Sequence, residues 1–264
     1  MIDFEQKPSY DVADLVEIVR ILRAPGGCPW DREQDHKSIR RDLLEEAYEV
    51  AEAIDEESPE HLREELGDLL LQVVMHSRME EEAGRANLSD VADGICKKLI
   101  YRHPHVFGDV TVSGSGQVLE NWEELKKKEK HQKTASDSVD AVARSLPGLW
   151  RAEKIQKKAA KVGFDWDSVD GAMAKLREET DELQAAIRDG SNVEEELGDL
   201  LFAAVNVARF VKTDPEGAMT AACDKFARRF RAVEEAAQAQ GRELSSMTLA
   251  EMDALWDAVK QREA

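Results

Sequence analysis

The chain has 264 residues, 42 % of them hydrophobic and 34 % charged, and a net charge of −19. Such acidity argues against binding to duplex nucleic acid, which needs clustered cations to displace counterions. The three cysteines are scattered and form no CxxC pair, so neither a disulfide framework nor a zinc site is expected. The N-terminus does not resemble a signal peptide, and no apolar run approaches the ~20 residues of a membrane span. The sequence therefore predicts a cytoplasmic protein without a membrane anchor.

Helical periodicity dominates the first half of the chain. The predicted helices cover residues 11–23, 38–56 and 60–82, and a fourth runs from near Ser89 to before Pro104. Ser58 is the expected N-cap of the third helix, with Pro59 at its first position. Residues 103–117 are predicted as a loop, and Trp122 as the start of another short helix.

The second half repeats this pattern after a polar, lysine-rich stretch. Residues 126–147 are interpreted as a linker between a first domain, 1–125, and a second, 148–264. The predicted helices of the second domain cover residues 149–161, 171–188 and 193–212.

A spaced set of carboxylates occurs once in each half. The first copy is Glu45, Glu46, Glu49, Glu65 and Asp68, and the second is Glu178, Glu179, Glu182, Glu196 and Asp199. Further landmarks follow in the same order, namely Lys98, Arg102 and Trp122 in the first half and Lys225, Arg229 and Trp256 in the second. The offset of about 130 residues is domain-sized, so the sequence predicts two homologous all-α domains.

The aspartate of each ExxD motif indicates a metal site. Asp68 and Asp199 lie within almost wholly apolar runs, which predicts burial, and a buried carboxylate needs a partner. Gly67 and Gly198 adjoin them, and close packing against a neighbouring helix is the expected reason. Carboxylate ligands without a cluster of histidine or cysteine favour Mg²⁺, with Mn²⁺ as a substitute.

Structural interpretations of the same residues stay open. The glutamates of the first cluster suit a solvated helix face, and either aspartate could serve in a structural salt bridge. The lysines and arginines could pair with local glutamates, and the tryptophans suit a core or an interface. Duplication of the whole arrangement favours the metal interpretation.

With these motifs, EExxE followed by ExxD in each half, the chain resembles the MazG family of nucleoside triphosphate pyrophosphohydrolases. The segments GGCPWDREQDHKSIRRDLLEEAYEVAEAI, RHPHVFGD and NWEELK resemble the family's first domain, and KAAKVGFDW, EEELGDLLFAAVNVAR and KFARRFRAVE its second. The resemblance covers nearly the whole chain. It implies membership of the all-α NTP pyrophosphatase superfamily, with four-helix bundles completed by homodimerisation.

The resemblance also implies an activity and roles for individual residues. The expected reaction is Mg²⁺-dependent hydrolysis of an NTP or dNTP between the α- and β-phosphates, giving a nucleoside monophosphate and pyrophosphate. The second domain is expected to be the main catalytic one, with Glu178, Glu179, Glu182, Glu196 and Asp199 as catalytic residues. The expected metal ligands are Glu179, Glu182, Glu196 and Asp199, with Glu46, Glu49, Glu65 and Asp68 as first-domain counterparts. The expected substrate-binding residues are Lys175, Glu178, Glu195, Lys225, Arg229 and Trp256, with Lys98, Arg102 and Trp122 in the first domain.

Two other functions compete with this interpretation. One is a non-catalytic helical regulator or scaffold that binds nucleotide, which the two intact acid sets disfavour. The other is a di-iron carboxylate bundle, which would need ExxH pairs that these helices lack at the acid positions.

Overall fold

The computed structural model describes residues 4–129 and 134–263, with only the backbone of Lys127. The regular structure of these residues is helical, and they contain no β-strand, which confirms the all-α prediction. The chain divides into two compact units, Met1–Lys126 and Lys127–Ala264. No helix among the described residues is long and apolar enough to cross a membrane.

The N-terminal helices form where capping residues and apolar spacing predict them. They are α1 (Val12–Arg23), α2 (Pro29–Glu33), α3 (Arg40–Asp55), α4 (Pro59–Glu82), α5 (Leu88–Arg102), α6 (Pro104–Phe107) and α7 (Ser115–Glu129). The Ser58 hydroxyl accepts a hydrogen bond from the His61 amide at 3.3 Å, which confirms the predicted cap. The prediction of Ser89 as the next N-cap is wrong. Asn87 and Asp90 instead form a reciprocal capping box, which starts α5 earlier.

The predicted loop at residues 103–117 is only partly correct. Pro104 opens the short helix α6, because proline suits a first helical turn. Helix α7 begins at Ser115, so Trp122 lies within a helix rather than at its start.

The later helices follow a similar plan. They are α8 (Ala135–Asp140), α9 (Gly148–Ala160), α10 (Val169–Asp189), α11 (Val193–Phe210), α12 (Pro215–Ala239) and α13 (Leu249–Glu263), with a 3₁₀ turn at Leu244–Ser246. Within the stretch interpreted as a linker, α7 continues to Glu129 and α8 packs against α9. Part of that stretch, residues 130–133, lies outside the described residues.

Each acid set lies on a pair of helices joined by a tight connection. Helices α3 and α4 pack together in the first unit, as α10 and α11 do in the second. In the connection between α10 and α11, Gly190 (66°) and Asn192 (52°) adopt the positive φ angles that glycine and asparagine tolerate. Short connections make neighbouring helices antiparallel, so the acids of both helices meet at one level.

The apolar core of the first unit lies between α1 and α4. Val19, Val74, Met75 and Met79 are buried there, together with Ile39 from the segment before α3. In the second unit the buried apolar side chains are mostly small, namely Ala172, Ala186, Ala203, Val205, Val233, Ala237 and Val259.

The predicted burial of the two aspartates is wrong, because Asp68 and Asp199 are both exposed. Apolar side chains next to them on the same helices, such as Leu66 (49 %) and Leu197 (45 %), are also exposed within each unit. The close packing expected at Gly67 and Gly198 is also absent, since an added Cβ would meet nothing within 4 Å at either glycine.

Candidate metal and nucleotide site

Three carboxylates converge in the second unit. Glu179 of α10 and Glu196 and Asp199 of α11 each place an oxygen within 4.8 Å of the others. Glu179 is 5 % exposed, Glu196 is half-buried and Asp199 is exposed. The antiparallel hairpin therefore gathers three of the four predicted metal ligands on a surface that opens to solvent.

The predicted ligand Glu182 lies next to this cluster without being part of it. A hydrogen bond with Glu179 raises the pKa of the Glu182 carboxyl, and burial and the Glu179 charge act in the same direction. A neighbouring negative charge disfavours the ionised form of a carboxyl group. This arrangement is one that a bound cation would relieve.

Lys175 stands beside the cluster, one helical turn before Glu179. Its ammonium lies 2.6 Å from Glu179 Oε1 and 2.7 Å from Glu178 Oε1. The hydrogen bonds to Glu178 and Glu179 raise the lysine pKa. A predicted substrate-binding lysine thus neutralises part of the acid cluster. The predicted substrate-binding residues Glu178 and Glu195 are both exposed.

The first unit contains a corresponding cluster of three carboxylates. Oxygens of Glu46, Glu49 and Glu65 lie within 4.8 Å of one another. Burial raises the pKa of Glu46, and the negative charges of Asp68 and Glu49 raise it further. Asp68 is therefore near the cluster, although the three-oxygen group does not include it.

A histidine takes the supporting role in the first unit. His61 Nε2 lies 3.2 Å from Glu65 Oε1, and Nδ1 lies 2.8 Å from Glu56 Oε2. His61 was not predicted from the sequence, although its i, i+4 spacing to Glu65 was the available signal. Aligned on the repeated motif, Asp42 occupies the position of Lys175, and Asn192 that of His61.

Both clusters suit a hard divalent cation. Each offers oxygen donors only, from two rigid helices, and each carries an excess of negative charge that raises a carboxyl pKa. Mg²⁺ and Mn²⁺ prefer such ligands.

The other predicted residues of the second unit form a separate group. The Arg229 guanidinium carbon lies 6.0 Å from the centre of the Trp256 ring, and the Phe226 ring lies 5.2 Å from the same ring. Arg229 Nε also donates to Glu263 Oε2 at 2.7 Å. Among the described residues, no hydrogen bond or ion pair joins Lys225, Arg229 or Trp256 to the acid cluster.

In the first unit, two cationic side chains lie close to the corresponding tryptophan, Trp122. The Trp122 ring has the Arg102 guanidinium carbon 5.1 Å and the Lys126 ammonium 5.0 Å from its centre. Arg102 is 7 % exposed, whereas Lys98 is exposed.

Comparisons with known proteins agree with this duplicated site. Residues 34–107 and 168–233 match the MazG nucleotide pyrophosphohydrolase domain. The nucleoside triphosphate pyrophosphohydrolase of Escherichia coli K12 is 46 % identical over 94 % of this chain and 97 % of its own length. The nucleoside triphosphate pyrophosphohydrolase/pyrophosphatase MazG of Thermotoga maritima is 42 % identical over 94 % of each chain. Protein YabN of Bacillus subtilis is 49 % identical over 98 % of this chain and 54 % of its own.

The two matched segments contain both carboxylate clusters and cover more than half of the sequence. The full-length relatives extend the similarity to nearly all of it. The chain therefore belongs to the MazG nucleotide pyrophosphohydrolase family, as the motifs in its sequence predict.

Proposed function

We propose that this protein hydrolyses nucleoside triphosphates, ribo or deoxy, between the α- and β-phosphates to a nucleoside monophosphate and pyrophosphate. The observation that carries the proposal is the convergence of Glu179, Glu196 and Asp199, beside Lys175, in a chain of the MazG family. The relatives named as nucleoside triphosphate pyrophosphohydrolases support it.

In this proposal the three clustered carboxylates and the neighbouring Glu182 hold Mg²⁺, or Mn²⁺ in its place. The bound cation would supply positive charge against the triphosphate and acidify a water molecule for attack on phosphorus. Glu46, Glu49, Glu65 and Asp68 form the corresponding set in the first unit.

The chain's own cations bind the rest of the triphosphate. Lys175 is close enough to exchange its ion pairs with Glu178 and Glu179 for phosphate oxygens. The Arg229 guanidinium can bind a phosphate group through two parallel hydrogen bonds after its hydrogen bond to Glu263 is broken. Lys225 is assigned to the same phosphates, one helical turn away.

Product analysis tests the proposal. Incubation with each NTP and Mg²⁺, followed by ³¹P NMR, should give pyrophosphate and monophosphate without a diphosphate intermediate, and EDTA should stop the reaction. We expect Glu179→Gln to lower turnover at least about a hundredfold, because the cluster loses a buried ligand charge. Glu194→Gln, an exposed acid on α11 outside the cluster, is the matched control. Release of orthophosphate and a diphosphate would contradict the assignment.

We further propose that the protein forms a homodimer in the cytoplasm. Apolar side chains stay exposed along several helices, including Leu197 and Leu201 on α11 and Ile95 and Leu99 on α5. Helical pairs with two apolar faces need a second layer to cover them. The cysteines are all free, as expected in a reducing compartment.

A further inference from the structure

A cationic pocket of about 550 Å³ lies between α9 and the connection from α11 to α12. Its lining includes four cations and one aromatic ring, namely Lys154, Lys157, Arg209, Lys212 and Trp150. Helix α9 itself carries four cations and a single acid, in a chain whose net charge is −19. A concave surface with one sign of charge concentrates ions of the opposite sign, so this pocket suits an anion.

Two of the four cations are balanced by acids of the same unit. The Lys157 ammonium lies 2.6 Å from Glu153 Oε1, one helical turn earlier on α9. Arg209 Nη1 donates to Asp165 Oδ2 at 2.9 Å. The charges of these two side chains are therefore already compensated within the protein.

The other acid of the lining holds the aromatic ring in place. Trp150 Nε1 donates to Asp214 Oδ1 at 2.8 Å. The same oxygen accepts from the Glu216 amide at 3.1 Å, because Asp214 is the N-cap of α12. Backbone N–H groups at a helix N-terminus stabilise a carboxylate, so Asp214 is satisfied by N–H donors.

Lys154 and Lys212 are the two cations left for a ligand. Both side chains are exposed, and among the described residues no ion pair joins either of them to a carboxylate. They come from different elements, since Lys154 lies on α9 and Lys212 directly follows the end of α11. The pocket thus presents two separate ammonium groups beside a fixed indole ring.

The backbone of Lys212 indicates that its side chain has a use. Its φ angle is 58°, in the left-handed region that glycine adopts without strain. The first unit ends the corresponding helix, α4, with Gly84 at 67°. At both ends the amide of the next residue bonds to a carbonyl five residues back, at 2.9 Å after α11 and 3.0 Å after α4. A lysine at a position that glycine fills more easily is a reason to assign its side chain a function.

We infer that the cationic pocket binds a polyphosphate anion, with Lys154 and Lys212 as its binding cations and the Trp150 ring as one wall. An ammonium group has three donors and no acceptor, which matches the charged oxygens of a diphosphate group. Such a group comes either as free pyrophosphate, which the proposed reaction releases, or as part of a nucleotide.

This site is separate from the acid cluster and goes beyond the proposed function. Arg209, in the pocket lining, follows Asp199 by ten residues on α11, which is roughly 15 Å of helix. Binding at the pocket can be measured without turnover, so the test does not depend on catalysis.

Calorimetric titration with pyrophosphate in EDTA tests the site, because no divalent metal then holds the anion at the carboxylates. We expect the wild type to bind, and Lys154→Gln and Lys212→Gly each to weaken binding about tenfold, since each removes a charged donor. Lys212→Gly should also raise Tm, because glycine relieves the positive φ angle. A weaker fold then cannot explain its lower affinity.

Arg151→Gln is the matched control, because Arg151 is an exposed cation of α9 outside the pocket lining. It should bind pyrophosphate as the wild type does. ADP, titrated in parallel, separates the two sources: tighter binding of ADP than of pyrophosphate identifies a nucleotide, and the reverse identifies free pyrophosphate. Absence of binding, an equal loss in Arg151→Gln, or binding that only Arg229→Gln weakens would overturn the inference.

Discussion

Lys175 contacts a carboxylate that the proposed metal ion would also bind. Its ammonium contacts both Glu178 and Glu179, so without a metal it is the cation that balances the second acid cluster. A divalent ion that enters the cluster weakens this ion pair, because both compete for the same carboxylate charge. The lysine is then free to meet the triphosphate, which couples metal binding to substrate binding.

Replacing this lysine should separate the two steps. We expect Lys175→Met to raise the affinity for Mn²⁺ several-fold in the absence of substrate, since a competing positive charge is removed, and to raise the KM for NTP. Calorimetric titration with Mn²⁺ measures the first effect and steady-state kinetics the second. Lys157→Met is the matched control, because Lys157 makes the same i, i+4 contact with Glu153, at 2.6 Å, away from the cluster. An unchanged or weaker Mn²⁺ affinity would refute the competition.

The positions of some site residues could be predicted from the sequence, whereas the exposure and contacts of others could not. The spacing of Glu179, Glu196 and Asp199 predicted that their carboxylates would meet, and they do, because helical geometry fixes which acids of two adjacent helices can approach each other. The exposure of Asp199 was missed, since an apolar run indicates that a helix will be covered but not which molecule covers it. The Gln156 amide carries no local pattern, because its hydrogen bond reaches the Phe202 carbonyl on another helix.

At the scale of the element, α13 is held at its start by one acid. Glu251 accepts from the Thr248 amide at 2.8 Å and from Arg242 Nη1 at 2.7 Å. The hydrogen bond from Arg242 and those from Thr248 lower its pKa from 4.5 to about 2. A carboxyl whose pKa is lower in the folded state stabilises the fold above its unfolded pKa, and this contribution is lost as the pH falls through the folded value.

The pH dependence of thermal unfolding tests this cap. Glu251→Gln should lower Tm at neutral pH, and the difference from the wild type should shrink below pH 4.5 and vanish near pH 2. Asp253→Asn, an exposed acid on the same helix, should show no such convergence. A Tm difference that is constant with pH would mean that the charge of Glu251 contributes nothing to the cap.

Helix α5 displays an exposed apolar stripe that a second copy should cover. Val91, Ile95 and Leu99 recur every four residues and are 45–46 % exposed. We expect Ile95→Glu to convert the proposed dimer to a monomer, because a buried unpaired charge costs several kcal/mol at an interface. Sedimentation equilibrium gives the mass. Asp93→Asn on the same helix should leave the mass unchanged, and a dimeric Ile95→Glu variant would exclude this stripe from the interface.

At the scale of the whole molecule, the two units keep the same acids but differ in what surrounds them. The sequence predicted the duplication well, because the motifs recur in order at a constant offset. It could not rank the two sites, since both acid sets are complete. The ranking depends on the supporting contacts, which differ at positions that the shared motif does not include.

These contacts favour the second unit as the catalyst. Asp42 occupies the position of Lys175 in the first unit, so the lysine that contacts the second cluster has no counterpart at that position. His61 contacts the ligand candidate Glu65, and Arg102 and Lys126 lie near the ring of Trp122. The first acid cluster is therefore supported by a histidine and the second by a lysine.

Paired substitutions at equivalent positions measure this asymmetry. We expect Glu182→Gln to reduce kcat at least about tenfold and Glu49→Gln to leave it within about twofold, because Lys175 lies beside the second cluster and Asp42 takes its position in the first unit. Both variants should be assayed at saturating Mg²⁺ and NTP, with Mn²⁺ stoichiometry measured in parallel to show which sites still bind metal. Circular dichroism checks that both remain folded. If Glu49→Gln costs as much as Glu182→Gln, both units catalyse, and the His61 contact in the first unit must yield to metal.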